Sequence, residues 1–370
     1  IYGNTGALQK QLTTGSFDVT SLLAVDAASG VVYYQAADES PLQRNIYKAT
    51  IDRGVVTKLS SNSGYNSATF SNNGKYFINN YTNSVTPTMI TLHNSNGKLL
   101  RTLQTNEMVA QKVAQANFPA KEFITVPAAD GTTQLNGWMI KPSSFDASKR
   151  YPVVMIQYSG PNSQQVLDRF GVDWYYALAE EGYIIASVDG RGTGARGEMF
   201  RKQTYLNLGV IESDDQIAAA KHFATLPYID GNRIGIWGWS YGGYNVLMSM
   251  GRGGGAFKAG VAIAPVTDWR FYDTVYTERF MRTPQQNKIG YDNGSAIALA
   301  NKLQGNLLLI HGTTDDNVHL QNSMEYTRAL IEANKHFDMF MFPDKNHFIS
   351  GGNSRMYLYN KVIDYYKRNL

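Results

Sequence analysis

The stretch Arg233-Ile-Gly-Ile-Trp-Gly-Trp-Ser240-Tyr-Gly-Gly-Tyr-Asn-Val-Leu-Met-Ser-Met250 decides the fold. An apolar run over 233–237 feeds the turn Gly238-Trp-Ser-Tyr-Gly242, and an apolar helical stretch over 243–250 leaves it. Glycines flanking a serine let the chain turn sharply and hold Oγ exposed above a sheet, as a nucleophile elbow requires. The bland alternative is a tight glycine turn with a solvated serine, and the strand-turn-helix context argues against it.

Outward from the elbow, short apolar runs recur at 153–158, 183–188, 260–264, 307–310 and 339–342. Such runs mark strands buried on both faces of a parallel sheet. Helical stretches lie between them. The clearest starts at Ser213, which with Gln216 has capping-box spacing, and runs through Ile217, Ala220 and His222 to Leu226. Others occupy about 322–334 and begin near 354. Strand-helix alternation from Phe123 onward over about 250 residues predicts a doubly wound, mostly parallel α/β sheet spanning 119–370.

Residues 1–118 read as all-β, with short alternating strands and turn signals at Asn73-Gly74 and Asn96-Gly97. Gly30-Val-Val-Tyr33 is echoed by Gly74-Lys-Tyr-Phe77, and 46–59 by 89–103. An offset of about 43 residues is the period of one four-stranded propeller blade. Two blades cannot close a ring. A small meander with accidental similarity is the competing account.

Composition limits the function classes. The chain has 370 residues, 43% hydrophobic and 12% aromatic, enough for a large core, which excludes disorder. A net charge of +4 without any basic block argues against a nucleic-acid partner. No cysteine is present, so disulfides, Cys-ligated metal and thiol chemistry drop out, and a bacterial source fits slightly better. No run of 18 apolar residues spans a membrane. The chain starts at Ile1 without a leader, which reads as a piece of a longer precursor.

A serine nucleophile needs a base and an orienting acid, which this fold supplies in the order Ser, acid, His. Four histidines follow Ser240. His311 ends a strand and reads as a loop brace; His319 and His336 flank a helical stretch. His347 follows the last strand and precedes the C-terminal helix, where the base belongs. Asp315 and Asp316 both follow the run 307–310, and spacing does not separate them. Asp315, Asp316 and His319 as metal ligands lack a completing cluster. Gly192, Gly194 and Gly197 mimic a dinucleotide fingerprint with Asp214 about 20 residues on, but that acid falls in a helix rather than ending a strand. A mobile glycine loop beside the active site is the expectation.

Trp237-Gly-Trp-Ser-Tyr-Gly-Gly-Tyr244, His311-Gly-Thr-Thr-Asp-Asp-Asn-Val-His319, Asp189-Gly-Arg-Gly-Thr-Gly194 and Val275-Tyr-Thr-Glu-Arg279 resemble the signature runs of the dipeptidyl peptidase IV group of the prolyl oligopeptidase family of serine peptidases. The resemblance covers Tyr33 to the C-terminus. It implies an α/β-hydrolase domain preceded by the last two blades of a β-propeller. It implies Ser240 as nucleophile, Asp315 as acid and His347 as base, with the Tyr158 hydroxyl and Tyr241 N–H as oxyanion hole. Tyr241, Val266, Trp269, Tyr272, Tyr276 and Val318 would enclose a substrate proline, and Asn317 would hold a substrate carbonyl. Asn346 and Phe348 stand where relatives often carry Asp and Gly.

The function so implied is a serine exopeptidase that releases Xaa-Pro dipeptides, or tripeptides, through an acyl-enzyme without cofactor or metal. Its partners would be peptides with proline near the N-terminus. Secretion or a periplasmic location follows from the resemblance alone, and open-edged blades suggest a homodimer. An acylaminoacyl-peptidase or esterase is the alternative within the fold, and a catalytically dead scaffold the alternative outside it.

Overall fold

The computed structural model describes residues 1–370. Two compact units emerge: Ile1–Ala120 with Leu167–Val172 and Gly194–Phe200, and Lys121–Val166 with Asp173–Thr193 and Arg201–Leu370.

In the first unit, β1 (Val19–Asp26), β2 (Val31–Ala36), β3 (Asn45–Thr50) and β4 (Val56–Lys58) form an antiparallel sheet in chain order. β5 (Tyr65–Phe70), β6 (Tyr76–Thr82), β7 (Met89–Asn94) and β8 (Leu99–Gln104) repeat it. Gly30 and Gly74 precede the second strand of each sheet at φ 63° and 65°; Gly54 and Gly97 precede the fourth at 69° and 85°. These left-handed values cost glycine no Cβ clash, so the echo in the sequence marks equivalent turns of two blades. Tyr33, Ile46, Leu59 and Phe77 form a buried cluster drawn from both sheets. Helix α1 (Glu107–Ala116) ends this part of the chain.

The second unit holds an eight-stranded sheet: β9 (Glu122–Pro127), β10 (Gln134–Ile140), β11 (Tyr151–Ile156), β12 (Ile184–Asp189), β13 (Ile229–Trp239), β14 (Ala259–Ile263), β15 (Asn306–Gly312) and β16 (Asp338–Phe342). Its order is β16-β15-β14-β13-β11-β12-β10-β9. The six strands from β11 to β16 pair in parallel, and each matches an apolar run read from the sequence. β11 and β12 are buried along their whole length, which is why they read so clearly. β9 and β10 pair antiparallel. Partly exposed β9 lacks such a run.

The helices are α2 (Tyr175–Glu180), α3 (Glu198–Arg201), α4 (Val210–Ala224), α5 (Tyr241–Arg252), α6 (Thr274–Met281), α7 (Lys288–Asn293), α8 (Gln321–Glu332) and α9 (Ser354–Asn369). Helix α4 begins at Val210, three residues before the expected start at Ser213. Its first turn is closed by Glu212, whose Oε2 accepts the Gly209 N–H at 2.9 Å. Gly209 sits at φ 84°, and a Cβ there would lie 2.0 Å from the Tyr244 hydroxyl. No other residue type fits that cap.

Strand order reverses at β11, which has β12 on one side and β13 on the other. Crevices for ligands open outside the carboxyl ends of strands at such a switch point. Tyr158 follows β11 and Ser240 follows β13, so the topology brings both to that crevice.

Candidate active site

Ser240 joins β13 to α5 with φ 60° and ψ −119°. A non-glycine residue there carries strain on the order of 1–3 kcal/mol. The surroundings hold it in place: its N–H donates to Ile263 O at 2.8 Å and its carbonyl accepts the Tyr244 N–H at 2.9 Å. A Cβ on Gly238 would fall 2.2 Å from Gly242 C, and one on Gly242 2.6 Å from Gln157 O. Gln157 ties the elbow to β11, donating from Nε2 to Gly242 O at 2.8 Å and accepting at Oε1 from Asn245 Nδ2 at 3.1 Å.

Asp315 and His347 come from the loops after β15 and β16. The imidazole Nδ1 lies 2.7 Å from Asp315 Oδ2. The other oxygen, Oδ1, accepts the backbone N–H groups of Asn317 at 3.0 Å and Val318 at 2.9 Å. His311, buried, places Nε2 2.8 Å from Val318 O and 3.3 Å from Asp315 Oδ2, so it braces the acid loop. Burial pulls the Asp315 carboxyl upward, yet hydrogen bonds from His311, His347 and the backbone hold it well below the usual carboxylate range. Asp316 and His319 are exposed, as is His336. The His347 carbonyl accepts Trp239 Nε1–H at 2.9 Å, which fixes the histidine loop to the residue preceding Ser240.

Ser240, His347, Tyr158, Tyr272 and Asn317 line one open cleft of about 460 Å³. Burial raises the Tyr158 hydroxyl pKa, and hydrogen bonding to Ser240 pulls it the other way. Both residues line the same cleft. The backbone N–H of Tyr241 opens α5 immediately after the elbow.

Beside the elbow stands an aromatic box. Trp269 is 5.3 Å from Tyr241 and 5.9 Å from both Tyr272 and Tyr276 between ring centroids, and the last two cross edge-to-face at 5.5 Å. Tyr241, Val266, Trp269 and Val318 are buried and Tyr272 and Tyr276 half-buried. Tyr272 Oη donates to Asn317 Oδ1 at 2.9 Å. Of the expected residues, Ser240, His347, Tyr158, Tyr272 and Asn317 thus share the cleft, and Tyr241, Tyr272 and Tyr276 gather around Trp269.

Two features were not legible beforehand. Glu212, fully buried in α4, accepts the Tyr241 hydroxyl at 2.7 Å; burial pushes its carboxyl up to about 7, against hydrogen bonds from Tyr241 and the backbone. Its one sequence signal is an acid three residues after Gly209, a capping position that the start expected at Ser213 obscured. The glycine loop expected to be mobile is anchored: Arg191 binds Asp215 at 2.7 Å and Asp130 at 3.0 Å. Asp214, the acid of the apparent fingerprint, pairs instead with Arg252 at 2.8 Å.

Elbow, switch-point crevice and strand order define an α/β-hydrolase. Comparison with known proteins narrows the class. The profile described as the prolyl oligopeptidase family matches residues 170–370, more than half of the chain, and the chain belongs to that family. The profile of the dipeptidyl peptidase IV N-terminal region matches residues 1–88. The crystal structure of Porphyromonas gingivalis dipeptidyl peptidase 4 superposes with a TM-score of 0.96 at 54% identity, covering 100% of this chain and 52% of that one. Curated relatives named "Probable dipeptidyl-aminopeptidase B" are 42% identical in Chaetomium globosum, over 96% of this chain and 39% of theirs. In Pyrenophora teres f. teres the figures are 39%, 95% and 40%. The chain thus spans about two fifths of the length of these curated relatives.

Proposed function

We propose that the protein is a serine dipeptidyl peptidase that releases N-terminal Xaa-Pro dipeptides through an acyl-enzyme. In this reading His347 Nε2 takes the Ser240 proton as Oγ attacks the scissile carbonyl, and Asp315 holds the Nδ1–H tautomer and the imidazolium that forms. The Tyr241 N–H and the Tyr158 hydroxyl stabilise the oxyanion. His347 then protonates the leaving amine, and a water activated by the same imidazole hydrolyses the ester. Proline lacks an N–H that a dry pocket would have to satisfy, so the aromatic box can select it by shape and burial. Asn317 Nδ2 is a donor for a substrate carbonyl.

The observation that carries the reading is the 2.7 Å Asp315–His347 bond in the same cleft as the strained Ser240. The dipeptidyl register is supported by the names of the relatives, and a secreted or periplasmic location by resemblance. The test is product analysis with the full-length protein on Gly-Pro-, Gly-Ala- and Gly-Pro-Pro-initiated peptides. Release of intact Gly-Pro, strongly preferred over Gly-Ala and blocked by N-terminal acetylation, is expected. Efficient turnover of acetylated peptides or simple esters alone would replace it with the acylaminoacyl-peptidase or esterase reading.

A further inference from the structure

The aromatic box takes up only one side of the elbow. Tyr241, after Ser240, engages Glu212 and Trp269, whereas Trp239, before it, engages the His347 carbonyl and Arg355. The cleft continues along this second wall, lined by Trp239, Phe348, Arg355 and Tyr359. A substrate whose proline fills the box sends its leaving amine toward His347, which must protonate it. The leaving peptide then runs past the wall attached to His347.

Arg355 is unusual on that wall. Its guanidinium lies 4.7 Å from the Trp239 ring centroid, and Nη1 donates to Tyr359 Oη at 2.8 Å. That hydroxyl is its one hydrogen-bond acceptor in the protein, and no acidic side chain pairs with it. It stands in the first turn of α9, where the helix dipole disfavours a cation. Stacking on tryptophan fixes the guanidinium plane and leaves edge donors for a planar, bidentate acceptor.

We infer that Arg355 is a specificity residue for the leaving peptide, binding a carboxylate beyond the scissile bond. That carboxylate is either the C-terminus of a tripeptide or an acidic side chain further along. The inference rests on the dipeptidyl peptidase reading.

The test measures kcat/KM with the full-length protein on two pairs: Gly-Pro-Ala against its amide, and Gly-Pro-Ala-Glu-amide against Gly-Pro-Ala-Gln-amide. The carboxylate member of at least one pair should be preferred by about 3- to 10-fold, the range of a partly exposed charge-assisted contact. The first pair identifies a C-terminal carboxylate, the second a side chain. In Arg355→Met, which keeps an unbranched stem against Trp239, the ratio should fall to about 1, and Arg355→Lys should retain part of it. Each ratio is internal to one variant, so a general loss of activity does not imitate the effect. No carboxylate preference in the wild type, or an unchanged ratio in Arg355→Met, overturns the inference. Failure to release Gly-Pro from any of the four peptides overturns the peptidase reading and the inference with it.

Discussion

Asp315 offers His347 only one of its two oxygens: Oδ2 meets Nδ1 at 2.7 Å while Oδ1 is held by the Asn317 and Val318 N–H groups. The backbone grip fixes the carboxylate plane, so the imidazole is oriented by a rigid partner. Asp316 is exposed. Asp315→Asn should therefore lower kcat by about 10⁴, with Asp316→Asn costing far less. Steady-state kinetics of the two variants on Gly-Pro-4-nitroanilide decides it, and reversed costs would refute the assignment.

Ser240 is held at φ 60° by one backbone hydrogen bond to β14 and one to α5, and by close glycine contacts. Ser240→Ala should lower kcat by about 10⁶ and abolish labelling by a fluorophosphonate. Mass-spectrometric mapping of the label provides the check. A label on another serine would contradict the role of the elbow.

Gly160 leaves room for the Tyr158 ring in the cleft it shares with Ser240: a Cβ there would lie 2.6 Å from Tyr158 Cε1. Tyr158→Phe keeps the ring and removes one donor to a developing negative charge. A loss of about 10²–10³ in kcat is expected with KM little changed. A change confined to KM would instead make Tyr158 a substrate-binding residue.

Glu212 should leave a signature in stability. Its folded pKa of about 7 lies above the ordinary value of 4.5, chiefly through burial. Between those values the folded state binds more protons than the unfolded chain, so stability falls as pH rises from about 4.5 through about 7 and then levels off. The difference amounts to about 3 kcal/mol at most. Glu212→Gln should flatten that slope in urea titrations between about pH 5 and 8. An identical slope in wild type and variant would remove Glu212 as its source.

The elbow, the six parallel strands and the position of His347 past the last strand were all legible along the chain. Their signals are local: glycine spacing imposed by backbone clearance at residues 238–242, and unbroken apolar runs imposed by burial on both faces. The paired blades were legible for a similar reason, since Gly30 and Gly74 recur where the same turn demands a positive φ. Neither the choice between Asp315 and Asp316, nor the buried Glu212 beneath Tyr241, nor the stacking of Arg355 on Trp239 could be read this way. Asp315 and Asp316 are adjacent in sequence and chemically identical; only the turn at residues 315–318 brings one of them to His347 while the other remains in solvent. Glu212 and Arg355 meet their partners across 29 and 116 residues of chain, and separations that long are closed by the packing of the sheet and helices.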